Sequence, residues 1–188
     1  MGLNEWAHSL SESLLSDPLP RRWAHSLGVA KRARALAPIL GEDAELLEAA
    51  AVLHDIGYSP ALAVTGFHPL DGARFLRKQG ADERVIRLVA HHSCAILEAE
   101  ERGLREELES EFELERPELV DALVFCDMTT TPDGVETTPS ERLDEIVKRY
   151  GPDTIVGRFI QRAAPEIHAA ARRVGGRLAL VKAADQPM

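Results

Sequence analysis

Residues 49–57 read Ala-Ala-Ala-Val-Leu-His-Asp-Ile-Gly, an apolar run that closes on two ionisable side chains. Upstream of it, Leu46, Leu47, Ala50 and Leu53 recur at helical spacing, which predicts a buried helix starting near Asp43. At its end two ionisable side chains, His54 and Asp55, close an apolar run, and Gly57 offers a stop. Polar groups in such a place need a partner, because burial without one is costly.

Working outward, the same periodicity returns along the chain. Leu3, Trp6, Leu10 and Leu14 form a short amphipathic segment ahead of Asp17-Pro18, where a second helix starts and runs to about residue 37. After a loop over 58–67, His68-Pro69 opens a helix that ends near Gly80, and 82–92 forms the next. The Glu-heavy stretch 98–115 carries Leu104, Leu108 and Phe112 at helical spacing and reads as a solvated amphipathic helix or lid. Helices over 118–127, 139–150 and 152–174 follow, with a loop at 129–138, a kink at Pro165 and a tail that frays after Gly175.

The composition agrees with an all-α chain. Ala, Leu, Glu and Arg dominate, aromatic residues are only 5%, and strand-favouring residues are thin. With 45% hydrophobic and 28% charged residues over 188 positions, one compact helical domain is expected. The net charge of −9 repels phosphate backbones and argues against nucleic acid as the main partner. No apolar run reaches the roughly 20 residues of a membrane span. Cys94 and Cys126 read as small buried residues in a reducing compartment, so a cytoplasmic location is expected.

The chemistry lies in the histidines. His25 falls mid-helix, His54 and Asp55 end the next helix, and His68 begins another; His91 and His92 end a fourth, and Asp127 ends a later one. In an antiparallel helix assembly these ends and faces can converge. Imidazole and carboxylate together suit iron, manganese, zinc, cobalt or nickel, and no cysteine has the spacing of a zinc-thiolate site. A His-Asp dipeptide alone is weak evidence; the ordered set carries the signal. His8 and His168 lie outside it and read as surface residues.

This order, centred on Ala-Val-Leu-His54-Asp55-Ile-Gly, resembles the HD superfamily of metal-dependent phosphohydrolases. The family's pattern of His, His-Asp and Asp matches His25, His54, Asp55 and Asp127. Members with two metals add histidines in between, as His68 with His91 or His92 would here, His92 being preferred. The resemblance implies a helical bundle of the HD type. Its parts would be an N-terminal helical segment (1–20), a metal-binding core (20–130), C-terminal helices packed on it (131–175) and a tail (176–188). It implies two divalent transition-metal ions, iron, manganese, cobalt, nickel or zinc, with magnesium an alternative. Asp55 would bridge them, with His25, His54 and Asp127 on one and His68, His91 or His92 on the other.

The implied reaction is hydrolysis of a small phosphate ester or nucleotide-type molecule by water activated at the metals. Asp55 and Arg22 are the expected catalytic residues. Arg22 and Arg32, both near the helix face of His25, with Thr129 and Thr130, are the expected substrate contacts. The chain departs from several branches of the family. It lacks a Gly-Tyr-Pro signature after the double His, and it has Tyr58 where a lysine often follows the His-Asp segment. Two other readings share the residues: a mixed-valent diiron oxygenase and a non-catalytic nucleotide or metal sensor.

Overall fold

Helix α4 (Ala44–Leu53) is the axis on which the other elements are assembled, for every side chain from Leu46 to Leu53 is buried. Each fully buried Leu or Val here contributes about 1.5–3 kcal/mol relative to its exposed state. The structure, a computed structural model, describes residues 2–184. Among these the regular structure is helical, apart from one isolated bridge between Thr130 and Glu136. No described helix is long and apolar enough to cross a membrane.

Helices α1 (Leu3–Leu15) and α2 (Pro20–Arg34) pack on α4, and the short α3 (Ala37–Leu40) turns the chain toward it. Proline at the first position of α2 suits a place whose N–H has no helical partner. Helices α5 (His68–Lys78) and α6 (Glu83–His91) pair with each other, and α6 also packs on α4. Asp82 caps α6 by accepting from the Arg84 N–H. A second apolar cluster joins α9 (Pro117–Met128), α10 (Pro139–Tyr150) and α11 (Ile155–Ala184) through Val124, Met128, Ile146, Phe159 and Ile160. A capping box of Thr138 and Glu141 fixes the start of α10.

Three details differ from the sequence-based expectation. The acidic stretch is two helices, α7 (Ala95–Arg102) and α8 (Arg105–Glu111), separated at Gly103, whose φ is +71°. It is tied down, with Leu108 and Phe112 buried and Arg74 paired to both Glu107 and Glu111. Helix α11 passes through Pro165 and through Gly175-Gly176 without ending, reaching Ala184; the last four positions of the expected tail lie outside the described residues. Gly57 does not act as a left-handed helix stop. A Cβ there would stand 2.0 Å from the His68 carbonyl oxygen, so glycine is needed for the close approach of α5 to the end of α4.

Candidate metal centre

The ends of α4 and α6 use the same local device. The last carbonyls of a helix have no partner within it, and a histidine placed three residues later can donate to one. His54 Nδ1 lies 2.7 Å from the Ala51 carbonyl oxygen, and His92 Nδ1 lies 2.7 Å from that of Val89. His25, from the middle of α2, does the same with the 129–138 loop: its Nδ1 is 2.9 Å from the Thr131 carbonyl oxygen. That loop is held close because Gly134 has a φ of +77° and a Cβ there would meet the Ala24 carbonyl oxygen at 2.3 Å.

A carbonyl only accepts, so in each neutral ring the hydrogen sits on Nδ1 and Nε2 is a lone pair. All three lone pairs point inward. His25 Nε2 is 3.0 Å from Asp127 Oδ1, and His54 Nε2 is 3.3 Å from Asp55 Oδ2. His92 Nε2 faces His68 Nε2 at 3.0 Å, and His68 Nε2 is 3.3 Å from Asp55 Oδ1. Lone pairs facing carboxylates and each other repel unless positive charge lies between them, and His54 Nε2 is buried with no hydrogen-bond partner. The donor set therefore fits divalent metal, with the second ring nitrogens anchored on backbone carbonyls as metal-binding histidines require.

Two overlapping groups have the geometry. His25, His54 and Asp127 each offer a ligand atom within 4.8 Å of the others, and so do His54, Asp55 and His92. His68 completes the second group from the first turn of α5, its ring stacked on Tyr58 at 3.8 Å between centroids. His54 and Asp55, adjacent in sequence, reach the same centre because the helix ends between Leu53 and Asp55, where the backbone leaves helical geometry.

The electrostatics follow from burial and neighbours. Burial pushes Asp55 upward, but the charge of Arg22 and then of His54 hold it well below the usual carboxylate range. Asp127 is likewise pushed up by burial and brought far below that range by the His25 hydrogen bond and by His54. His54 is lowered by burial, yet Asp55 and then Asp127 raise it to about 9. Burial and the charges of His68 and His54 lower His92 to about 3, so its ring stays neutral. Arg22 Nη1 donates to Asp55 Oδ2 at 2.7 Å, and its guanidinium lies 3.8 Å above the Tyr58 ring.

The structure thus brings Arg22, His25, His54, Asp55, His68, His92 and Asp127 together. It leaves the other expected residues outside. His91 turns away, its Nε2 donating to the Phe112 carbonyl oxygen at 2.7 Å. Arg32 bonds Thr129 Oγ1 and Glu136, and the hydroxyls of Thr129 and Thr130 donate to the Phe125 and Cys126 carbonyls at the end of α9. None of the three lines the cleft above the cluster. His8 is half-buried against Glu48 on α4, remote from the centre.

Two residues join the site without having been marked by their sequence. Ser93 donates to Asp127 Oδ2 from a backbone with φ +47°, and Cys94 follows at +61°. Two left-handed non-glycine residues in a row are strained, and they reverse the chain so that His92 and Ser93 both face inward. Tyr58, which stands where a lysine often follows the His-Asp segment, is the ring on which both His68 and Arg22 rest.

A cleft of about 560 Å³ opens on this cluster. Its floor is Asp55, His68, His92 and Asp127, and its far wall is supplied by α10 and α11 through Arg142, Arg149, Tyr150 and Phe159.

Comparison with known proteins supplies the family. The HD domain family matches residues 22–163. Ribonuclease Y of Rubrobacter xylanophilus is 40% identical over 70 residues, covering 37% of this chain and 14% of that protein. The tRNA (cytidine(56)-2'-O)-methyltransferase of Thermoplasma volcanium is 38% identical over 77 residues, 41% of this chain and 22% of that protein. The chain therefore spans less than a quarter of the length of these curated relatives. No solved structure gives a significant match. With three quarters of its length inside the match and the His, His-Asp and Asp residues converging in space, the chain belongs to the HD domain family.

Proposed function

We propose that the protein is a metal-dependent phosphohydrolase acting on a small phosphorylated molecule. The observation that carries this reading is the set of inward imidazole lone pairs around two ionised aspartates, at the floor of a cleft that also presents Arg22. His25, His54, Asp55 and Asp127 would hold one ion, and Asp55, His68 and His92 a second. When bound, the ions lower the pKa of water and polarise a phosphoryl oxygen.

The chain's own residues do the rest. Asp55 and Asp127, kept ionised, balance the metal charge and accept from water in the cleft. Arg22 stays protonated, since Asp55 outweighs the effect of its burial. Stacked on Tyr58, it presents a fixed fork of donors to the phosphoryl oxygens where negative charge develops. Ser93 orients Asp127 through its second oxygen. The walls of α10 and α11 restrict water around the reacting group.

The names of the two relatives concern RNA, but each matches over a small part of its own length, and a net charge of −9 works against a long phosphate backbone. A cleft with a few convergent polar side chains at its floor suits a small substrate. We place the protein in the cytoplasm, in keeping with its two unpaired cysteines.

The test is a screen of phosphomonoesters, phosphodiesters and nucleoside mono-, di- and triphosphates with manganese, iron, cobalt or nickel. Metal-dependent phosphate release that is absent from the His54→Ala/Asp55→Ala protein supports the assignment. A fully metal-loaded protein that releases no phosphate from any of them overturns it. Nucleotide binding without turnover would then point to a sensor, and oxygen uptake with a coupled iron EPR signal to an oxygenase.

A further inference from the structure

A second cleft, of about 640 Å³, adjoins the first and shares Arg22, His25, Arg142 and Arg149 with it. Arg21 also lines it, and its remaining walls are Pro18, Leu19, Pro20 and Pro132. Four arginines and no carboxylate lining one cleft is a pronounced local excess in a chain of net charge −9.

The ion pairs do not absorb that excess. Arg21 is matched by Asp133 through two hydrogen bonds, and Arg22 by Asp55. Arg142 and Arg149 share one carboxylate: Arg142 Nη1 donates to Glu145 Oε2, and Arg149 Nε lies 3.3 Å from Glu145 Oε1. Arg142 is only 5% exposed, and its Nε has no hydrogen-bond partner. Its charge also acts on Asp127, which is already engaged by His25 and Ser93. A buried guanidinium with five N–H groups, one acceptor and half a counter-charge is unsatisfied by the protein alone. It also sits in the first turn of α10, where the helix dipole adds positive potential.

We propose that Arg142 and Arg149 form a second anion subsite beside the metal centre, and that the substrate is a small molecule carrying two phosphate groups. One phosphate would sit at the metals with Arg22, and the other on Arg142 and Arg149 in the adjoining cleft. The assignment of the first phosphate rests on the hydrolase reading above; the subsite itself does not need it. Glu145 is the positioning residue that holds the two guanidinium groups side by side.

The experiment measures calorimetric binding of pyrophosphate and of inorganic phosphate to chelator-treated protein, in the wild type and in the Arg142→Gln and Arg149→Gln variants. Losing a charged hydrogen-bonding partner costs on the order of tenfold or more in affinity. The wild type is expected to bind pyrophosphate more tightly than phosphate, and each variant to lose at least about tenfold of the pyrophosphate affinity. Should Arg142→Gln melt early, Arg149→Gln alone decides, because Arg149 is more exposed and leaves the core intact. Failure of the wild type to bind pyrophosphate, or equal binding by wild type and Arg149→Gln, overturns the subsite whatever the turnover screen gives. Binding lost in the variants with no phosphate release from any ester keeps the subsite and rejects the hydrolase.

Discussion

His54 has one nitrogen on a backbone carbonyl and the other facing Asp55 and Asp127, so a proton and a metal ion compete for that second face. Its folded-state pKa, raised to about 9 from an ordinary value near 6.5, makes the metal-free protein most stable below about pH 6.5 in respect of this group. That contribution fades as pH rises through about 9. A bound metal takes the place of the proton, so the extra stability it confers grows over the same window. Thermal melts with and without manganese are expected to show a larger metal-induced rise in Tm near pH 8.5 than near pH 6.5. An increment that shrinks with pH would mean that the metal does not displace a proton from His54 Nε2. The residues that converge, His25, His54, Asp55, His68, His92 and Asp127, stand out in the sequence by type and order. What the residues did not reveal were the anchors: the carbonyls of Ala51, Val89 and Thr131 leave no mark in the side-chain alphabet. Arg32 illustrates the limit of periodicity. It shares the helix face of His25, but seven residues place it about 10 Å further along the axis, within reach of Thr129 and Glu136 and away from the cleft.

Between elements, the centre depends on two close approaches that only glycine permits. Gly57 lets the first turn of α5 bring His68 against the end of α4, and Gly134 lets the 129–138 loop carry the Thr131 carbonyl to His25. Gly134→Ala combines a left-handed φ with a contact of 2.3 Å, whereas Gly66, with a φ of +76°, has open space around it. Gly66→Ala is expected to cost about 1 kcal/mol in urea unfolding, the conformational penalty alone. Gly134→Ala is expected to cost about 2–4 kcal/mol, because overpacking adds to that penalty, and to weaken metal binding about 10–100-fold through His25. Equal costs at the two positions would show that the loop approach is not tight. The helices themselves were legible from 3.6-residue periodicity, including the ends that place His54 and His92. The reason for Gly57 was not, since a helix stop and a close approach draw on the same residue. The acidic stretch was misleading for a related reason: its charge pattern suggests solvent, while Leu108 and Phe112 bury and Arg74 clamps it from α5.

For the molecule as a whole, the candidate metal centre joins elements that are far apart in the chain, gathering His and Asp side chains from α2, the end of α4, α5, the turn after α6, and α9. Metal bound there acts as a cross-link that the unfolded chain cannot hold in the same way. At a free metal concentration about a hundred times Kd, this is worth about 2.7 kcal/mol, or a Tm rise of roughly 5–10 °C for a chain of this size. Removal of metal by a chelator should reverse that rise, and a change of under about 1 °C would argue that the cluster is held together by protons alone. The family match continues past Asp127 to residue 163, into α11, and these C-terminal helices form the arginine-bearing wall of the cleft. Nothing in the spacing of Arg142 and Arg149 marked them, because their role depends on how α10 docks rather than on the helix itself. Elemental analysis of protein reconstituted with iron or manganese counts the ions that these residues hold. Close to two ions per wild-type chain are expected, with a marked loss in Asp55→Asn, the residue assigned above to both ions. A wild-type chain that retains no metal, or an Asp55→Asn protein that retains as much, would contradict a two-metal centre.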